Sequence, residues 1–123
     1  MAANVTEPVR TRVLGIAVNA CPDAFAAALE LHNHGGGQVV TLNAEMTMAA
    51  RADAALGEVI EAAELVIPDG AGVVWALGRQ GLPVPRSPGI ELARRLLEHG
   101  ARHGWRVALV GASPTTMERL RER

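Results

Sequence analysis

Residues 63–76 read AELVIPDGAGVVWA. The stretch Glu64 to Ile67 (ELVI) has the length of a short buried strand, and it opens directly onto Pro68-Asp69-Gly70-Ala71-Gly72. From Val73 to Arg79 the chain turns helical. A short apolar strand that ends in proline, acid and glycine and then enters a helix is a strand–turn–helix unit of an α/β fold. In such folds ligands bind outside the carboxyl ends of the strands, so the turn at 68–72 is the first place to look for chemistry.

The flanking sequence repeats the theme. Upstream, Arg12 to Val18 (RVLGIAV) and Gln38 to Leu42 (QVVTL) are apolar runs of strand length. Between them a helix is expected over Pro22 to His34, ended by Gly35-Gly36-Gly37, because glycine takes a left-handed conformation at little cost. Asn43 can cap a helix through Met46 and Ala50, and a second helix is expected from Ala52 to Ala63. Downstream, Gly81 to Gly89 is irregular, since Pro83, Pro85 and Pro88 interrupt hydrogen bonding. Ile90 to His103 reads as a helix, with Leu92, Leu96 and Leu97 set against Arg94, Arg95, Glu98 and Arg102. Trp105 to Val110 (WRVALV) reads as a further strand, and Gly111-Ala112-Ser113-Pro114 opens a last helix. Buried strands alternating with helices predict a Rossmann-like parallel sheet with helices on both faces. A strand–glycine-turn–helix unit normally leads into another parallel strand, so the sequence reads as truncated: residues 1–11 a flexible segment and 12–123 the N-terminal portion of one domain.

Composition narrows the function classes. The chain has 123 residues, 49% hydrophobic, with a net charge of -1, which suits one folded unit with a buried core. All 12 basic residues are Arg, scattered among acids, and no basic stripe suggests nucleic acid. The single Cys21 excludes an internal disulfide and a cysteine-rich metal site. Met1 to Arg12 has no signal-peptide h-region, and no run of about 18 apolar residues exists, so a cytoplasmic address is expected.

Asp69 is the sharpest candidate for catalysis. A carboxylate at the mouth of an apolar strand can act as a general base, with Gly70 and Gly72 letting backbone come close to a ligand. The competing reading makes Asp69 the N-cap of the helix that follows, worth about 1 kcal/mol. Thr41 and Asn43 alternate at the end of the second strand and either face the same cleft or, for Asn43, cap a helix. Arg86, in the proline-rich loop, has the fork geometry that clamps phosphate. Gly111 and Ser113 at a helix start form a weaker phosphate nest. His32 and His34 lack a third ligand, so no metal site is expected.

Four segments together carry a resemblance: VVTLNAE (39–45), AELVIPDGAGVVWA (63–76), PRSPGIEL (85–92) and VALVGASP (107–114). In order and spacing they resemble the WecG/TagA/CpsF glycosyltransferases, glycosyltransferase family 26, from about Arg12 to the end. PDG-x-G-V-V followed about 14 residues later by R-x-x-G is the most specific part. The resemblance implies an inverting transfer of N-acetylmannosamine, or a related hexose, from a UDP-sugar donor to a polyprenyl-diphosphate-linked glycan acceptor, in teichoic acid or exopolysaccharide synthesis. It implies Asp69 as the base on the acceptor hydroxyl, Thr41 and Asn43 in the pocket, and Arg86 on the diphosphate. No DxD motif is present, and no cofactor is implied. It further implies peripheral contact with the inner face of the cell membrane through a C-terminal part beyond this chain, without which the 123 residues are expected to be inactive; a homo-oligomer is compatible with the reading. Pro85 and Ser87 depart from the Glu and Val or Ile common in members. The alternative is a non-catalytic Rossmann-type nucleotide-binding module, which accounts for the alternating pattern but not for the joint spacing of the two motifs.

Overall fold

The structure, a computed structural model, describes residues 7–111 and 113–122; Ala112 of the GASP segment and Met1 to Thr6 of the expected N-terminal segment lie outside these. The first element differs from the sequence reading. Arg12 to Val18 is not one strand. β1 (Val9–Val13) and β2 (Ile16–Ala20) form an antiparallel hairpin, with Val13 paired to Ile16 across a two-residue turn. Leu14 (φ 50°) and Gly15 (φ 84°) both lie in the left-handed region, as the turn that matches the twist of paired strands requires. Val9 to Thr11, placed by the sequence reading in the N-terminal segment, are the first residues of β1. Arg10 ties the hairpin down, its guanidinium donating to the carbonyls of Ala63 (2.9 Å) and Glu61 (2.8 Å) at the end of a neighbouring helix.

The centre is a parallel pair, β3 (Val39–Leu42) and β4 (Leu65–Pro68), in the register Val39–Leu65 to Leu42–Pro68. The crossover between them is helical. Asn43 caps α2 (Ala44–Ala52) by accepting the Met46 N–H at 2.8 Å, and Asp53 ends α2 and caps α3 (Ala54–Ala62). Each such cap is worth about 1 kcal/mol. Before the pair runs α1 (Ala24–Asn33), capped by Asp23 through the Ala26 N–H, and after it come α4 (Ala71–Arg79) and α5 (Gly89–Arg102).

Side chains alternate across a strand, and here each side of the pair has its own helices. Val39, Leu65 and Ile67 pack with Ala24, Ala28 and Leu31 of α1 and Leu92 and Leu96 of α5. Val40, Leu42 and Val66 pack on the other side with Ala50 of α2, Ile60 of α3, Val73 and Leu77 of α4, and the hairpin residues Val13, Ile16 and Val18. The fold is thus mixed α/β, a small parallel sheet covered by helices on both faces, consistent with part of a Rossmann-like domain.

The expected strand Trp105 to Val110 is absent among the described residues: the segment has no regular structure. A strand exists only by pairing, and here no strand edge receives it; Val107 (53%), Leu109 (51%) and Val110 (95%) remain exposed. The final helix, α6 (Pro114–Arg121), forms as expected but buries no residue.

Candidate functional site

The parallel register sets Asn43 beside Asp69 at the carboxyl end of the pair, because Leu42 is opposite Pro68. The Asp69 N–H donates to the Leu42 carbonyl at 2.9 Å, which carries the ladder one residue past the strand. Next to it, Gly70 runs so close to the start of α2 that a Cβ there would lie 3.2 Å from both Cα and Cβ of Asn43. What favours glycine there is this close approach to Asn43, not its φ of −88°. Gly72 is less constrained: an added Cβ would meet Ala44 Cβ at an ordinary 3.6 Å.

The loop at 81–88 folds back over this end. The Ser87 N–H donates to the Pro68 carbonyl at 2.9 Å, and Arg86 Nε donates to the Asp69 carbonyl at 2.6 Å. Gly89 then sits against Thr41, where a Cβ would come within 2.9 Å of Thr41 Cγ2. Thr41, Asn43, Asp69, Gly70 and Arg86 thus converge at one end of the sheet, as the position of ligand sites in open α/β folds leads one to expect.

The helix-cap alternatives resolve differently for the two polar residues. Asn43 does cap α2, and its main-chain carbonyl also accepts the Thr47 hydroxyl at 2.8 Å. Asp69 does not cap: the N-cap of α4 is Gly70, with no side-chain cap bond. Among the described residues the Asp69 carboxylate forms no hydrogen bond or ion pair, and the residue is half-buried. Gly111 and Ser113 are not joined to this group by any hydrogen bond among the described residues. Ser113 caps α6, accepting the Thr116 N–H at 3.2 Å, and Gly111 takes φ 105° before it.

Among the described residues Asp69 lines none of the three main surface depressions. One of about 280 Å³ lies beside Arg86, between Asp23, Phe25, Glu91 and Arg95. A larger one of about 720 Å³ lies at the amino end of β4, near Glu64 and Leu65. The strand-end group is therefore set apart not by a large depression but by the coincidence of polar residues and close-packed glycines. Cys21 is no rival for the chemistry: it is fully buried, and burial pushes its thiol above the ordinary range, which disfavours the reactive thiolate. Among the described residues no group of three or more His, Cys, Asp or Glu could hold a metal ion, and no helix is long and apolar enough to cross a membrane.

Sequence reasoning gave no structural role to Gly89, the last residue of the R-x-x-G motif. Its spacing from Arg86 was the available signal; the contact with Thr41 is the reason for it. A model of the Glycosyl transferase WecG/TagA/CpsF family matches residues 11–123, which takes in every residue of the strand-end group. With that match over nearly its whole length, the chain belongs to the WecG/TagA/CpsF family of glycosyltransferases.

Proposed function

We propose that the group at the carboxyl end of β3 and β4 is the acceptor-activating part of an inverting glycosyltransferase, with Asp69 as general base. The observation that carries the reading is the state of Asp69. Its main chain is held on both sides, by Leu42 and by Arg86, while its carboxylate is left without a partner among the described residues. A base must be fixed in place and still free to take a proton, and a structural cap would be neither needed nor free here.

In this reading Asp69 removes the proton from an acceptor hydroxyl as that oxygen attacks the anomeric carbon of the donor. The bond to the nucleoside diphosphate breaks on the opposite face, and the leaving group departs with its electron pair. A positioned base contributes about 10²- to 10⁴-fold to such a step. Asn43 has its Oδ1 committed to the cap, which leaves its amide N–H groups to meet a sugar hydroxyl, and Thr41 offers a second polar contact from the same strand end. Arg86 is exposed and its Nη groups form no hydrogen bond among the described residues; they supply positive charge to the diphosphate. Gly70 and Gly72 let the backbone come close to a ligand. Gly111 and Ser113 are assigned a more distant phosphate contact, at the start of α6.

The donor proposed is a UDP-sugar, with N-acetylmannosamine or a related hexose as the transferred group. The acceptor is a polyprenyl-diphosphate-linked glycan met at the inner face of the cell membrane. No cofactor takes part in the step as written. The test is Asp69→Asn in the full gene product: UDP release with lipid-linked acceptor should fall at least about 10²-fold, while UDP-sugar binding by calorimetry stays near that of the parent. Unchanged turnover removes Asp69 from the chemistry. Binding of NAD in preference to UDP-sugar would favour the nucleotide-binding module instead.

A further inference from the structure

We infer that Arg86 is a positioning residue for Asp69, acting through the main chain at the same time as its charge faces the diphosphate; this rests on the reading of Asp69 as the base. The geometry divides the guanidinium in two. Nε–H donates to the Asp69 carbonyl at 2.6 Å, while the two terminal nitrogens form no bond among the described residues. The neighbouring Ser87 N–H holds the Pro68 carbonyl at 2.9 Å, and on the opposite side the Asp69 N–H is bound to Leu42. The peptide units before and after Asp69 are thereby both fixed, and with them the direction in which the carboxylate leaves the backbone.

The arrangement matters because among the described residues no other group donates to that carbonyl. Asp69 lies one residue before the N-cap of α4, so its carbonyl is outside the helical ladder, whose first bond runs from the Val74 N–H to the Gly70 carbonyl. Without Arg86 the Asp69–Gly70 peptide keeps only a long bond, from the Gly70 N–H to the Leu42 carbonyl at 3.4 Å, and Gly70 resists rotation less than any other residue would. A misplacement of about 1 Å at a reacting group can cost on the order of 10²-fold in rate. Binding of the donor to the terminal nitrogens would also tighten the hold on Asp69, so the base is set at the moment the leaving group is in place.

Two substitutions separate charge from hold, because of where their atoms fall. Arg86→Lys keeps the cation but puts a methylene, Cε, where Nε–H donates. Arg86→Gln puts an amide N–H at the Nε position and removes the charge. In the full gene product, with a UDP-sugar and a lipid-linked acceptor, R86K should lower kcat about five- to tenfold with donor KM changed less than about twofold. R86Q should raise donor KM about tenfold while its kcat stays about threefold or more above that of R86K. Arg86 is exposed, so thermal unfolding of both variants should match the parent, and a large loss of Tm would overturn the inference by showing that Arg86 holds the fold. R86K with parental kcat, or R86Q losing kcat as severely as R86K, also overturns it. Asp69→Asn run in parallel keeps the two ideas apart: if it is inactive while R86K keeps its kcat, only the positioning role falls, whereas an active Asp69→Asn removes the base and this inference with it.

Discussion

Asn19 of β2 closes the outer edge of β4, its Oδ1 accepting the Val66 N–H at 2.7 Å while both residues are buried. On the other edge the Leu65 and Asp69 N–H groups go to the carbonyls of Gln38 and Leu42, and Pro68 has no N–H to satisfy. The Val66 donor depends on one side chain 47 residues away. Asn19→Ala leaves that N–H buried without a partner, so urea unfolding should show a loss of about 2 kcal/mol. A loss near zero would mean that water reaches Val66.

Gly89 and Thr41 give a case in which sign discriminates. Replacing glycine by alanine inside a helix ordinarily gains about 0.5–1 kcal/mol. Gly89 is the first residue of α5, yet its Cβ would fall 2.9 Å from Thr41 Cγ2 and 3.2 Å from Thr41 Cβ. Gly89→Ala should therefore destabilise, by about 1–2 kcal/mol, and reduce transfer because Thr41 is displaced. Thr41→Ser removes the closest atom, so the double variant should recover part of the loss. Additive effects in that cycle would show the two residues to be uncoupled.

Most elements were legible because their signals are local. Asp23 and Asn43 announce helix starts through side chains that reach only three residues ahead, and Gly35 with Gly36 announces a helix end through positive φ. The hairpin was not legible, because Gly15 is the turn's one local signal and its partner at φ 50° is Leu14, a type with no turn preference, both set within a run that reads as one strand. The strand at Trp105 to Val110 was over-read for the opposite reason: its residues suit a strand, but pairing is a property of two segments and sequence shows one. At the site, the cap on Asn43 could be weighed in advance. That Gly70 would take the cap position from Asp69, and that Arg86 would reach the Asp69 carbonyl, depends on a loop crossing 17 residues of sequence, for which no periodicity exists.

His99 makes the packing between α1, α5 and Trp105 sensitive to pH. Its ring stacks on His103 at 4.0 Å and meets Trp105 at 5.2 Å and Phe25 at 5.9 Å. His32 lies on Trp105 at 4.2 Å, and Arg95 on Phe25 at 4.1 Å. Partial burial among these rings, then the neighbouring charges of His103, Arg102 and His32, hold the His99 imidazole below its ordinary pKa. The unfolded chain then binds the proton first, so stability declines as pH falls below about 6.5. A second decline belongs at lower pH, where Glu61, held down by its hydrogen bond to Arg12, and Glu64, held down by the Gln38 N–H, become protonated. His99→Phe should flatten the first phase of a Tm-against-pH curve and leave the second. A first phase unchanged by the substitution would assign it to another group.

Asn43 has two proposed jobs, and its substitutions can part them. The cap uses Oδ1, at 2.8 Å from the Met46 N–H, and any short side chain with an oxygen acceptor can replace it. Binding of a sugar hydroxyl would use the amide N–H groups, which serine lacks. Asn43→Ser should thus keep stability within about 0.5 kcal/mol of the parent, whereas Asn43→Ala should lose about 1 kcal/mol. Transfer should fall in both, by about tenfold in kcat/KM, since one hydrogen bond to the acceptor or donor is gone in each. Aspartate is unsuitable for this test despite its good capping, because a second carboxylate beside Asp69 would raise the pKa of the base and confound the rate. If Asn43→Ser is as active as the parent, Asn43 serves the fold alone, and substrate contact at that strand end passes to Thr41.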